Sequence, residues 1–247
     1  MPRPDLAATP AAPGARQPSV LWTRLTVVVL TAAVAVAGVV ALADAAGEHD
    51  GPSRWDPATA TEVLKARTPA LTHLAQTFTF LGSEVVLGGI AILLCLTLLV
   101  LRRITQAVTF AVGIGGSAVL TVAVKLLVAR PRPGSVDRLG IPDTSYSFPS
   151  GHTLNTAVLV TLVVWLLWSS VGYAGRVALV VVAAILILGV AASRVYLGYH
   201  WLTDVLASGL VAIAWLCVVW LVGSAAARIA PPTLGERQSW RVTRSAA

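Results

Sequence analysis

Residues 148–168 read FPSGHTLNTAVLVTLVVWLLW. Ser150 is a natural N-cap, and past His152 the run stays apolar for about the length of a membrane crossing, since ~20 helical residues span ~30 Å of hydrocarbon. Five further runs of the same kind lie around it. The six predicted spans fall near 20–43, 84–101, 105–127, 153–171, 177–193 and 201–223. The expected fold is therefore all-α: a polytopic membrane protein with six transmembrane helices.

Composition agrees. The 247 residues are 56% hydrophobic and only 12% charged, whereas a soluble domain carries about a quarter charged residues. The net charge of +7 would suit nucleic acid, but no basic stripe with interleaved aromatics is present, so no nucleic-acid partner is expected. Cys95 and Cys217 each sit inside an apolar run and read as small hydrophobes, not as a disulfide framework. No Cys or His cluster has metal-ligand spacing, so neither metal nor cofactor is expected.

Residues 1–19, rich in Pro and Ala, read as a disordered N-terminal tail, and 224–247 as a basic C-terminal tail. Ala41-Leu42-Ala43 resembles a signal-peptide cleavage site, but the apolar core before it is too long, so a retained helix is the reading. Arg3, Arg16, Arg24, Arg102, Arg103, Arg176, Arg228, Arg237, Arg241 and Arg244 fall on one side of a six-span layout. The positive-inside rule makes that side cytoplasmic, with both termini inside and segment 44–83 outside. Within 44–83, Ala58 to Phe80 has helical composition broken at Pro69, so one or two short surface helices are expected between the first two spans. Trp22, Trp201 and Trp220 lie near span boundaries, as an aromatic belt would have them.

Three stretches carry chemistry, and this topology puts all of them at outer helix ends. In the first, Lys125 stands about one turn before a helix end that Pro131 and Pro133 enforce, and Arg132 can turn back toward it. Together they offer an ammonium and a bidentate fork to phosphate oxygens; the plain alternative is a snorkelling lysine and a solvated arginine. In the second, Pro149-Ser150-Gly151-His152, the free N–H groups of a helix start favour an anion, and Gly151 permits close backbone approach. His152 beside that anion can donate a proton to a leaving oxygen; otherwise this is an ordinary capped helix with an interfacial histidine. In the third, Ser193-Arg194 precedes Gly198, His200 and Asp204. A carboxylate four residues on can accept one ring N–H of His200 and leave the other nitrogen as a nucleophile, while Arg194 folds back onto the same phosphate. The alternative for Asp204 is a structural ion pair.

The stretches together resemble the signature of the type 2 phosphatidic acid phosphatase (PAP2) superfamily: K-x6-RP at Lys125, Arg132 and Pro133, PSGH at 149–152, and SR-x5-H-x3-D at Ser193, Arg194, His200 and Asp204. The six-span layout resembles that of its bacterial membrane members. The resemblance implies that His200 attacks phosphorus to give a phosphohistidine, that Asp204 orients and charges it, and that His152 protonates the leaving group and later activates water. Lys125, Arg132 and Arg194, with the Ser150-Gly151 backbone, would hold the phosphoryl oxygens without a metal. Implied substrates are phospholipid or polyprenyl phosphates: undecaprenyl diphosphate, phosphatidic acid or phosphatidylglycerol phosphate, at the outer face of a bacterial plasma membrane. The outward topology inclines toward the polyprenyl diphosphate. A lipid-linked phosphotransferase shares the phosphohistidine step, and a non-catalytic lipid-phosphate binder would need only the cations. Arg130, Tyr146, Asn155 and Glu84 receive no role from the pattern, and nothing in the sequence fixes the oligomeric state.

Overall fold

The computed structural model describes residues 18–48, 50–134 and 137–229. Of the expected tails at 1–19 and 224–247, residues 1–17 and 230–247 lie outside the described residues; residues 18–19 begin α1 and 224–229, with Arg228, continue α8, so those two stretches are helix and not tail. Eight α-helices follow in order: α1 (Pro18–Glu48), α2 (Trp55–Lys65), α3 (Pro69–Leu81), α4 (Glu84–Val100), α5 (Ile104–Val128), α6 (Gly151–Leu167), α7 (Tyr173–Tyr196) and α8 (Leu202–Ile229). No strand occurs among the described residues, so the all-α expectation holds.

Local signals set the helix starts. Thr68 caps α3 by accepting the Leu71 N–H at 3.3 Å, with Pro69 as its first residue. Ser83 caps α4 through Val86 N–H and Ser150 caps α6 through Thr153 N–H. The break expected at Pro69 is therefore a helix start. At its other end α5 stops on Ala129, whose φ of 49° is left-handed, just ahead of Pro131.

Five helical segments are long and apolar enough to cross a membrane: Leu21–Glu48, Ile104–Val128, Gly151–Ser170, Tyr173–Tyr196 and Leu202–Ala225. The second predicted span differs. As α4 it has 17 residues, a rise of about 25 Å. It reaches span length only together with α3, from which it bends by 41°. The pair thus makes a broken sixth span, with α3 laid along α7. A side chain at Gly189 of α7 would begin 2.3 Å from the Phe78 ring, so the glycine is what lets α3 lie this close.

The centre of the bundle is α6, whose Leu154, Val158 and Leu162 are buried against Leu87 of α4, Phe110 of α5 and Val211 of α8. α1 packs along α8. Large apolar side chains such as Val34, Val85, Val100, Leu127 and Leu188 are left on the outside, as a lipid-facing surface requires. The chain is a multi-pass membrane protein. Lys125 (end of α5), His152 (start of α6), Arg194 (end of α7) and Asp204 (start of α8) all stand at one end of this bundle, while Arg103 and Arg176 stand at the other.

Candidate active site

The loop between α5 and α6 holds Arg132 and Ser150, with Lys125 on α5 before it and His152 on α6 after it, and it folds back over the α7–α8 turn. Leu139 N–H donates to Leu197 O at 2.9 Å, and the Tyr199 hydroxyl to Ile141 O at 3.0 Å. Gly198 makes the close approach possible. Its φ is +76°, and a side chain there would begin 2.9 Å from Asp137 O.

His200 is buried in that turn. His200 and Asp204, four residues apart, do not meet as neighbours on one helix face, because α8 begins only at Leu202. Asp204 reaches back instead, accepting the Trp201 N–H on Oδ2 at 2.9 Å, a capping contact at the helix start. The same oxygen lies 3.4 Å from His200 Nδ1 and accepts the Ser147 hydroxyl. On its other side, His200 Nε2 is 3.3 Å from an Arg132 guanidinium nitrogen. A guanidinium only donates, so Nε2 holds the lone pair and Nδ1 the proton, facing Asp204. Burial pushes the His200 pKa down to about 4; the Asp204 hydrogen bond and charge oppose this, and Arg132 and Arg194 add to it. The imidazole is neutral at physiological pH.

The first-motif cations do not point into an empty cleft. Lys125 Nζ donates to Ser145 Oγ at 3.1 Å and to Tyr146 O. Arg132 donates to Ser145 O (2.7 Å), Ser145 Oγ (2.9 Å) and Tyr199 O (2.7 Å), and pairs with Asp143 at 2.6 Å. Burial works against the Asp143 charge, but the Ser145 N–H and hydroxyl, with Arg132 and Lys125, hold its carboxyl below the usual range.

Arg194 is buried at 4% exposure, stacked 3.9 Å from the Tyr199 ring centroid and hydrogen-bonded to Thr79 at 2.6 Å. Its Nε has no partner among the described residues. Such an orphan donor costs free energy unless a ligand oxygen meets it. His152 lies within electrostatic reach of Arg194, His200, Arg132 and Asp143. Next to it, Ser150 is held by Ser208, whose hydroxyl donates to both Ser150 O (3.0 Å) and Asp204 O (2.7 Å). A side chain at Gly151 would begin 3.0 Å from a Thr121 methyl. The structure thus brings Lys125, Arg132, Ser150, Gly151, His152, Arg194, His200 and Asp204 to one place.

Four participants were not legible beforehand: Asp56, Asp143, Ser147 and Thr79. Arg130, unassigned by the motif, is buried and joins two of the segments, pairing with Asp56 at 2.7 Å and Asp204 at 2.6 Å. Tyr146 contributes its carbonyl to Lys125. Glu84 is exposed in the first turn of α4, where its charge complements the helix dipole. Asn155 sits one turn below His152 with its carbonyl oxygen buried and unpartnered. No group of three or more His, Cys, Asp or Glu side chains among the described residues is placed to hold a metal ion.

Comparison with known proteins bears on the family and the fold. The sequence profile of the PAP2 superfamily matches residues 106–228. Phosphatidylglycerophosphatase B of Bacillus subtilis is 26% identical over 153 residues, 61% of this chain and 74% of that protein. The Escherichia coli protein of the same name is 32% identical over 97 residues, but these cover only 37% of its length. The crystal structure of a transmembrane PAP2-type phosphatidylglycerolphosphate phosphatase from Bacillus subtilis superposes with a TM-score of 0.70 at 22% identity, covering 82% of this chain and 99% of that one. Aquifex aeolicus LpxE gives a TM-score of 0.53 over 67% of this chain and 93% of that one, also at 22% identity.

Proposed function

We propose that this chain, a multi-pass phosphatase of the PAP2 superfamily, hydrolyses the phosphate of a membrane lipid through a phosphohistidine on His200, without a metal ion. The observation that carries the reading is the state of His200. Its Nδ1 lies 3.4 Å from Asp204 Oδ2 and its Nε2 3.3 Å from an Arg132 guanidinium nitrogen, the geometry of a neutral imidazole that offers its Nε2 lone pair.

Nε2 attacks phosphorus as the bond to the lipid oxygen breaks; the departing oxygen keeps the bonding pair and takes a proton from the His152 imidazolium, which is left neutral. The phosphorylated imidazole is cationic, and Asp204 balances it. In the second half, neutral His152 takes a proton from water, the hydroxide attacks phosphorus, and the N–P bond returns its pair to Nε2 as inorganic phosphate leaves. Lys125, Arg132, Arg194 and the α6 N-terminus hold the phosphoryl oxygens and the charge that builds on them.

A lipid substrate fits the surroundings. Beside Arg194 an apolar groove of about 640 Å³ runs between α3, α7 and α8, lined by Leu74, Phe78, Leu188, Ala192, Tyr196 and Leu206. A hydrocarbon tail lying there leaves its head group at the cations. The names of the Bacillus subtilis and Escherichia coli relatives favour phosphatidylglycerol phosphate over phosphatidic acid and undecaprenyl diphosphate. Arg102, Arg103 and Arg176 at the far end of the bundle support, by the positive-inside rule, a reading with that end cytoplasmic and the site at the outer face of the membrane.

The test is phosphate release by the detergent-solubilised protein in EDTA, with these three lipids, for wild type and His200→Ala. Release by wild type alone is expected, fastest on phosphatidylglycerol phosphate. Turnover by His200→Ala would remove the nucleophile assignment, and a strict divalent-metal requirement would contradict the cation cradle.

A further inference from the structure

We propose that Asp56, acting through Arg130, is a positioning residue for the His200–Asp204 pair, so that the segment between α1 and α3 takes part in catalysis. The inference rests on the phosphatase reading above. Asp56 opens α2 and is only 2% exposed. One of its oxygens accepts the Thr203 N–H at 3.0 Å; the other accepts the Thr203 hydroxyl at 2.6 Å and an Arg130 nitrogen at 2.7 Å. The second terminal nitrogen of Arg130 reaches Thr203 Oγ1 at 2.8 Å and Asp204 Oδ1 at 2.6 Å. Asp204 thus gives one oxygen to Arg130 and the other to His200.

Accepting the Thr203 N–H needs an oxygen at that place and no charge; the carbonyl of an asparagine would do as well. The charge of Asp56 answers Arg130. A lone buried arginine on Asp204 would neutralise the carboxylate just where His200 needs it. Two carboxylates sharing one guanidinium leave a net negative charge, available to the imidazole as phosphorylation makes it cationic. The shared fork also fixes the Asp204 carboxyl plane, and with it the direction of Nε2. The other groups facing this pair are Arg132 and Ser147 from the loop, Arg194 from α7, His152 from α6 and Lys125 from α5. None of them contacts Asp56.

The experiment compares full-length Asp56→Asn and Asp56→Ser with wild type in detergent, using dioctanoyl phosphatidic acid. Both variants lose the charge; Asp56→Asn keeps a carbonyl oxygen for the Thr203 N–H, and the shorter Asp56→Ser loses that contact as well. We expect kcat to fall ~10–100-fold, the usual scale for residues that orient a catalytic ligand, with KM within twofold and, for Asp56→Asn, the thermal midpoint nearly unchanged. The acid limb of the pH profile moves down, because a less negative surround holds the imidazolium less well. Arg130→Lys keeps a cation between the carboxylates but loses the fork, and is expected to lose kcat similarly. Wild-type kcat in both neutral Asp56 variants, or losses that follow the thermal midpoint, would reduce Asp56 to a cap. Nitrogen-15 labelling of the four histidines gives a readout without turnover: wild-type His200 shows one tautomer, with Nε2 unprotonated, and Asp56→Asn loses that purity. An unchanged spectrum would overturn the proposal. If wild type releases no phosphate from any lipid, the phosphatase reading falls, while the spectrum still decides the coupling of Asp56 to His200.

Discussion

The Arg132 guanidinium lies 2.6 Å from the Asp143 carboxylate, so a cation assigned to the substrate is held by an acid of the chain itself. Ser145 pins that acid through its N–H at 3.0 Å and its hydroxyl at 2.9 Å, and it also receives Lys125. An incoming phosphate has to take over these donors. Asp143→Asn is therefore expected to strengthen inhibition by vanadate ~3–10-fold, a modest gain because the pair is partly solvated. Weaker inhibition would mean that Asp143 aligns Arg132 for the phosphate instead of competing with it.

Arg194 should not tolerate lysine. Its fork is stacked on Tyr199, one of its two terminal nitrogens donates to Thr79, and its Nε is a buried donor with no partner among the described residues. A lysine keeps the charge but has neither the plane nor that donor. A kcat/KM loss of about 100-fold is expected for Arg194→Lys, on the scale of removing one transition-state donor. Near-normal kcat/KM would place the phosphate elsewhere.

The pH profile has a definite sign. In the proposed mechanism His200 attacks as the neutral base, and burial lowers its pKa to about 4. Activity limited by this group is thus intact above that value and lost as pH falls through it. The acid limb of kcat/KM, which reports the free enzyme, is expected near pH 4. A limb near 6.5 would mean that Nε2 is already solvated before substrate arrives.

Gly198→Ala is expected to destabilise the fold by about 1–3 kcal/mol, from a left-handed backbone carrying a side chain. The methyl would also press on Asp137 O, 2.9 Å from its position, and push the loop off the α7–α8 turn. A thermal midpoint several degrees lower, with reduced activity, is the outcome to look for. An unchanged midpoint would show that the loop yields freely.

Much of the fold was legible because membrane spans announce themselves by length and apolarity alone. The predicted 105–127 and 201–223 differ from α5 and α8 by a few residues at the ends. The broken α3–α4 span was not legible, since Gly82-Ser83 gives a turn signal but no direction for the helix after it. The same division runs through the site. Lys125, Arg132, His152, Arg194, His200 and Asp204 stand in short local patterns whose spacing carries their chemistry. Asp56 and Asp143 stand in no pattern, because their meaning comes from partners far along the chain.

By itself, then, the sequence determined an all-helical membrane bundle and the phosphate-directed residues at one end of it. Hydrocarbon forces the first, and helix periodicity with prolines and caps places the second. Only the tertiary structure decided how those residues are held: Asp204 shared between His200 and Arg130, and Arg132 claimed by Asp143. Buried charges must find partners wherever the fold brings them, and such partnerships leave no local mark in a chain.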